Sequence, residues 1–228
     1  MPVKEYRYYD PNTKGLNFNG LKEDLTNAAE GSVVILHASS HNPTGVDLNK
    51  PQWNEVKTLF QQKKHIAFFD MAYQGFTSGN IHEDAFAVRL FANDLTADIP
   101  LILAQSFAKN FGLYGQRIGC LSTICSSEKE ASDVQSQMKI LARRIYSNPP
   151  LHGARIVSTI LLNKDLYEMW LKEVKVMADR ISTMRKLLVN DLKNAGSILN
   201  WDHIIHQIGM FAFTVIFLFG KRHNFVIF

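Results

Sequence analysis

The sequence predicts an α/β fold on three observations: short apolar, β-branched runs recur along it, helix-period stretches separate them, and the runs end in polar residues. The runs Val33 to His37, Ile66 to Asp70, Leu101 to Gln105 and Ile118 to Ile124 are apolar almost throughout, as buried strands of a mainly parallel sheet are. Lys50 to Lys64 and Glu83 to Asn93 space their apolar residues as amphipathic helices do, which makes strand-helix-strand units the economical reading. From Ser127 onward the pattern becomes long helical segments, broken by Ser147-Asn-Pro-Pro150, with Leu166 to Lys193 a long connecting helix. Phe211 to Phe228 differs, with aromatic and β-branched residues that lack helical period on either side of Gly-Lys-Arg-His-Asn.

Composition narrows the class. The chain has 228 residues, 46% hydrophobic and 20% charged, enough for one sizeable core. Lys and Arg number 25 against 21 Asp and Glu, and they are scattered, so no basic stripe points to nucleic acid. The longest apolar run, Met210 to Gly220, falls short of the ~20 residues a membrane-spanning helix needs. Met1 to Asp10 has neither a signal core nor the character of a transit peptide, so no address is visible. Cys120 and Cys125 fit neither a redox pair nor a zinc knuckle and read as reduced structural thiols. His203 and His206 make one i,i+3 pair without carboxylate or thiolate company, too little for a metal, and none is expected.

In an open α/β sheet ligands gather beyond the carboxyl ends of the strands. Here those ends offer His37 and Asn42 after the first run, Asp70 and Tyr73 after the second, and Ser106 and Lys109 after the third. A carboxylate closing the run Ile-Ala-Phe-Phe is costly to bury alone, so Asp70 is expected to need a cation. A protonated pyridine nitrogen is such a cation, and a pyridoxal 5'-phosphate (PLP) site needs an acid there and a lysine for the aldehyde. Plainer readings exist for each residue alone: Asp70 as a helix N-cap and Lys109 as a solvated loop lysine.

His41-Asn-Pro-Thr-Gly45, Phe69-Asp-Met-Ala-Tyr-Gln-Gly-Phe76, Ser106-Phe-Ala-Lys-Asn-Phe-Gly-Leu-Tyr-Gly115 and Tyr146-Ser-Asn-Pro-Pro-Leu-His-Gly-Ala-Arg-Ile156 together resemble the fold-type I aminotransferases, specifically the aspartate aminotransferases. The likeness runs from Tyr6 to about Phe213. It implies a three-layer PLP-binding large domain over 1–165, a connecting helix and the start of a small domain over 166–214, and a divergent tail over 215–228. It implies Lys109 as the catalytic residue, carrying PLP as a Schiff base and moving the proton between the substrate's α-carbon and the cofactor. Asp70 would pair with the pyridine nitrogen, with His37 behind it; Asn42 and Tyr73 would bond the phenolate oxygen, and Ser106 and Arg117 the phosphate. Arg143, or less favoured by its spacing Arg144, would reach into a neighbouring subunit to hold the distal carboxylate of aspartate or glutamate; Ser147 and Asn148 would lie at that boundary, so a homodimer is implied.

The activity so implied is transamination between L-aspartate and 2-oxoglutarate, on amino acid and 2-oxo acid substrates, with the mitochondrial matrix as the compartment and the cytoplasm as the alternative. Against the family pattern the chain starts late, so the glycine-rich phosphate loop, the ring-stacking aromatic and the tyrosine lent across the dimer are expected to be missing. The small-domain arginine for the α-carboxylate is expected to be missing too. The tail reads as foreign to the family, with a genuine strand as the alternative, and its low charge marks an aggregation risk. A fragment that at most binds PLP or dimerises is therefore the competing reading.

Overall fold

The four apolar runs pair side by side into one sheet. The computed structural model describes residues 2–93, 100–218 and 221–227, the last stretch from 214 as backbone only. A small antiparallel pair, β1 (Tyr9–Asp10) and β2 (Gly15–Leu16), precedes α1 (Phe18–Asn27), β3 (Val33–His37), α2 (Lys50–Lys63) and β4 (Ile66–Met71). Then come α3 (Ile81–Asp84), α4 (Phe86–Ala92), β5 (Leu101–Ser106), a 3-10 turn at Tyr114–Gln116 and β6 (Gly119–Ile124). Helices α5 (Glu128–Tyr146), α6 (Leu151–Leu162), α7 (Lys164–Asn194) and α8 (Asp202–His206) follow, and a hairpin of β7 (Ala212–Leu218) with β8 (Lys221–Ile227). The main sheet has the order β3-β4-β5-β6, with two parallel pairings and an antiparallel last one, so it is mainly parallel as expected.

Strand side chains alternate between faces. Val34, Leu36, Ala67, Phe69, Met71 and Leu101 turn to one face and pack with Leu21 and Leu25 of α1, Trp53, Val56 and Phe60 of α2, and Ala87 and Phe91 of α4. Edge-to-face contacts of Phe60 and Phe69 with Phe91 lock that layer. Of the opposite parity, the edge residues are open, with Val33 43% and Ile35 55% exposed on β3 and Leu121 exposed on β6 at the other edge, while Phe68 and Ile102 between them are partly buried. The α/β class with a mainly parallel sheet is as expected, with α1, α2 and α4 packed on one face.

The expected helix over 83–93 is two pieces, α3 and α4, parted at Ala85. Asp84 explains the break: its carboxylate turns back to accept the N–H groups of Gly75, Thr77 and Ser78 at 2.7, 3.0 and 3.0 Å. Helix α2 begins at a reciprocal cap in which Asn49 and Gln52 satisfy each other's backbone N–H. Asn163 starts α7 by accepting the Leu166 N–H at 3.1 Å.

Val174, Ala178, Arg185 and Val189 form the buried stripe of α7. Its far end builds a second apolar cluster with Trp201, Ile204 and Ala212. From there residues 207–211 return as a strap across the first strand-end loop: the Ile208 N–H donates to Gly45 O at 2.7 Å, and Gly209 lies against Ser40. Gly45, at φ +67°, has no room for a Cβ, which would meet the Phe211 carbonyl.

The tail read as divergent pairs its backbone as the β7–β8 hairpin; residues 219–220 and 228, and every side chain from Thr214 on, lie outside the described residues. Among the described residues no helix is long and apolar enough to cross a membrane. Cys120 and Cys125 are free thiols, and Cys120 is exposed rather than packed in a core. His203 is buried and His206 exposed, and no group of three potential metal ligands occurs among the described residues.

Candidate active site

The carboxyl ends of β3 and β4 and the turn after β5 enclose a cavity of about 320 Å³, lined by His37, Ser39, Asn42, Asp70, Ala72, Tyr73 and Lys109. That size falls in the ordinary range for a small-molecule site, ~300–1,000 Å³. Five of the seven lining residues are ones the strand-end argument selects. A larger groove of about 410 Å³ between α2 and α4, lined by Lys57, Phe86, Arg89, Leu90 and Asn93, has no acid among its lining residues.

Register sets the row: His37 pairs with Asp70 and Asp70 with Ala104. The His37 Nδ1 accepts the Asn42 N–H at 3.1 Å, which leaves the ring proton on Nε2. Burial lowers the His37 pKa, and the Asp70 charge partly opposes it. Asp70 itself is exposed, which corrects the expectation of a buried carboxylate. Behind this pair the His41 ring stacks on Tyr8 with centroids 4.0 Å apart, and burial pushes its pKa down to about 3.

The Asn42 side chain and the Tyr73 hydroxyl stand together in the cavity lining. Burial raises the Tyr73 pKa, the Asp70 charge adds to the rise, and the Asn42 side chain eases it. The peptide bond between Asn42 and Pro43 is cis. Lys109 is fixed through its neighbour: Asn110 donates to Gln74 O at 3.1 Å, and its own carbonyl accepts the Trp170 indole N–H at 2.8 Å. The Lys109 Nζ lies 4.8 Å from the centre of the Tyr73 ring and 5.5 Å from that of Tyr114. An ammonium over two phenol faces is attracted to them without a carboxylate partner.

Ser106 and Arg117 come together through the β5–β6 pairing, where Ser106 faces Gly119 and Phe107 N–H bonds Ile118 O, but neither lines the cavity. The Ser106 oxygen accepts the Ala108 N–H at 3.2 Å, so its own proton is free to donate. Arg117 is exposed at φ +51°, with Nη1 donating to Tyr114 O at 3.3 Å. Arg143 stands exposed in the last turn of α5, outside the cavity. Four residues on, Ser147 sits at φ +70°, ψ −65°, the centre of a γ-turn closed by Asn148 N–H to Tyr146 O at 2.9 Å. That is the strained hand of the turn for a residue with a side chain.

Ser39 and Asn110 were not singled out by sequence. Ser39 Oγ and Asn110 Oδ1 are buried with no hydrogen-bond partner within the chain, a state that costs ~1–3 kcal/mol per group unless a ligand completes it. Strand parity was the available signal for Ser39, two residues after His37. The chemistry gathered at the cavity is an amine able to attack a carbonyl, an acid able to hold a ring cation, an amide-phenol pair for an oxyanion, and an orphaned hydroxyl.

Residues 1–217 match the family described as Aminotransferase class I and II. The mitochondrial aspartate aminotransferase of Arabidopsis thaliana is 55% identical over 214 residues, 94% of this chain and 49% of that protein. The mitochondrial aspartate aminotransferase structure from Trypanosoma brucei matches with a TM-score of 0.89 at 48% identity, over 94% of this chain and 55% of that one. An aromatic-amino-acid aminotransferase from Burkholderia pseudomallei, solved covalently bound to pyridoxal phosphate, matches with a TM-score of 0.88 at 45% identity, over 93% of this chain and 52% of that one. The chain spans about half the length of the curated relatives it matches. With the family pattern covering almost all of the chain and the cavity built at its strand ends, the chain belongs to the class I and II aminotransferases.

Proposed function

We propose that this chain binds PLP at Lys109 and takes part in transamination of L-aspartate with 2-oxoglutarate, giving oxaloacetate and L-glutamate. One observation carries the reading: Lys109, Asp70, Tyr73 and Asn42 line a single cavity at the strand ends. Bound PLP supplies an aldehyde for amine exchange and a pyridinium electron sink. The rest falls to the chain. Asp70 holds the ring nitrogen's proton, with His37 keeping the carboxylate oriented through Nε2–H. Asn42 and Tyr73 present donors to the phenolate oxygen. Ser106 O–H and the Arg117 guanidinium take the phosphate, and Lys109 Nζ accepts and returns the substrate's α-proton.

Arg143 selects the dicarboxylic substrate from the neighbouring subunit, which makes a homodimer part of the proposal. Helix α5 supports it, having no buried residue and exposing Ile140, Leu141, Ile145 and Tyr146. We read 1–165 as the cofactor domain, 166–214 as the connecting helix and start of a second domain, and 215–228 as a divergent tail; the separate cluster around Val189, Trp201 and Ile204 supports that division. The mitochondrial matrix is the proposed compartment, on the likeness to a mitochondrial relative, with the cytoplasm as the alternative. A second reading, a chain that holds PLP or dimerises without turnover, is favoured by Ser106 and Arg117 standing outside the cavity lining and by the exposed apolar residues at the sheet edges.

Titrating PLP into the purified chain tests both. The expected result is the absorbance band of lysine-bound PLP, lost in Lys109→Ala, with dimer on sedimentation and aspartate-dependent oxaloacetate formation. A band without turnover leaves the second reading; no band, or a band that survives Lys109→Ala, sinks the cofactor assignment.

A further inference from the structure

Two loops carry the amide-phenol pair, and a separate set of side chains ties them to each other. The first loop leaves β3 through Ser40, held at φ +54°, and His41 to Asn42; the second leaves β4 through Tyr73 and turns back at Thr77. Asp47 closes the first loop on itself, with its two oxygens accepting the Ser40 N–H at 2.6 Å and the His41 N–H at 2.8 Å. Asp84 closes the second through the N–H groups of Gly75, Thr77 and Ser78 and the Ser78 hydroxyl. Thr77 is the crossing point: its N–H belongs to Asp84, while its hydroxyl is 2.6 Å from the Oγ of Ser40, whose own N–H is held by Asp47.

The link between the loops is this hydroxyl-hydroxyl bond. Either hydroxyl can donate to the other, so each keeps a donor or acceptor for this one partner. Ser40 is fully buried under Gly209 of the strap, so its hydroxyl depends on Thr77. Between this clasp and Asn42 lies only His41, whose own N–H is pinned to Asp47. On the other side Phe76 N–H bonds Tyr73 O at 2.9 Å, so Tyr73 and Thr77 move as one turn.

We propose that Thr77 is a positioning residue that sets Asn42 against Tyr73, and through them tunes a cofactor's phenolate oxygen; this rests on the PLP reading above. Neither Thr77 nor Asp47 touches the cavity, and both act through the pair.

The test is Thr77→Val in the full chain, compared with Thr77→Ser, by PLP titration and by the pH midpoint of the lysine-bound PLP spectrum. Thr77→Val is expected to weaken PLP binding roughly five- to tenfold, the equivalent of one lost hydrogen bond, and to move the spectral midpoint. Thr77→Ser keeps the hydroxyl and is expected to restore both. A folded Thr77→Val with unchanged affinity and midpoint overturns the inference, as does a lowered melting temperature with both PLP readouts unmoved. Should Thr77→Val fail to fold, Ser40→Ala breaks the outer link of the same path and is read the same way. No PLP band in the parent chain is a different failure, one that removes the cofactor reading and this inference together.

Discussion

Arg185 is a guanidinium held among carbonyls, with no acid beside it among the described residues. Its Nη1 donates to Ile204 O at 2.9 Å, and its Nη2 to Gly209 O at 2.7 Å and Phe211 O at 2.5 Å. Burial pushes its pKa down to about 10, which still leaves it charged at neutral pH. Those three oxygens are where the chain turns from α8 into the strap, so one planar fork fixes a backbone path that no regular ladder supports. Arg185→Met is expected to cost about 3 kcal/mol, since buried acceptors lose their donors while the apolar stem is kept. Urea unfolding measures it, and a loss under ~0.5 kcal/mol, the range of a neutral surface change, would mean the fork is idle. Nothing in the sequence marks this arginine from the others on α7 except its place in the buried stripe at 174, 178, 185 and 189.

Elements meet through glycines whose missing Cβ is the point of contact. Gly75, at φ +96°, lets the loop after β4 lie on Val174 of α7, where a Cβ would collide with the valine side chain. Gly31, at φ +72°, has nothing within 4 Å of the same construction. Both pay the left-handed backbone penalty on substitution, ~1–2 kcal/mol, but only Gly75 adds overpacking of ~1–3 kcal/mol. Gly75→Ala is therefore expected to destabilise by about 3 kcal/mol and Gly31→Ala by about 1, read from thermal unfolding of the two variants; equal losses would show that α7 gives way freely. At this scale β3, β4 and β5 were legible, because a largely apolar run bounded by turns has few other uses, whereas β6, read as a buried strand, is exposed along its length. The α3–α4 break was not, because Asp84 looks like any helical acid until the loop at 75–78 arrives to claim it.

For the whole molecule, strand-end logic found Asn42, Asp70, Tyr73 and Lys109 together, since each lies within a few residues of a run that the sheet must align. It did not foresee the exposure of Asp70, which depends on what packs beside the strand end. It also could not separate Ser106 and Arg117 from the cavity lining. Protonation acts at this scale too. Burial holds His41 at about 3 and His203 at about 4 against an ordinary 6.5, so the unfolded chain binds more protons below pH 6.5 and stability falls with pH through that window. Asp47, pushed up to about 6 by burial, and Asp84, raised likewise, work the other way, because there the folded chain binds the proton first. His203→Gln removes one histidine from the balance, so its melting temperature is expected to drop less than the parent's between pH 7.5 and pH 5; an equal drop would contradict the neutral His203.

The strap at 207–211 also imposes an order in time. Gly45 leaves the ribosome long before Ile208, whose N–H it must accept, and synthesis adds ~5–20 residues per second. For on the order of ten seconds or more the nascent sheet would carry its strand-end loop without the segment that presses Ser40 into place. The cradle for the cofactor is therefore among the last parts of the described chain to acquire its shape, although the residues that form it are made in the first half.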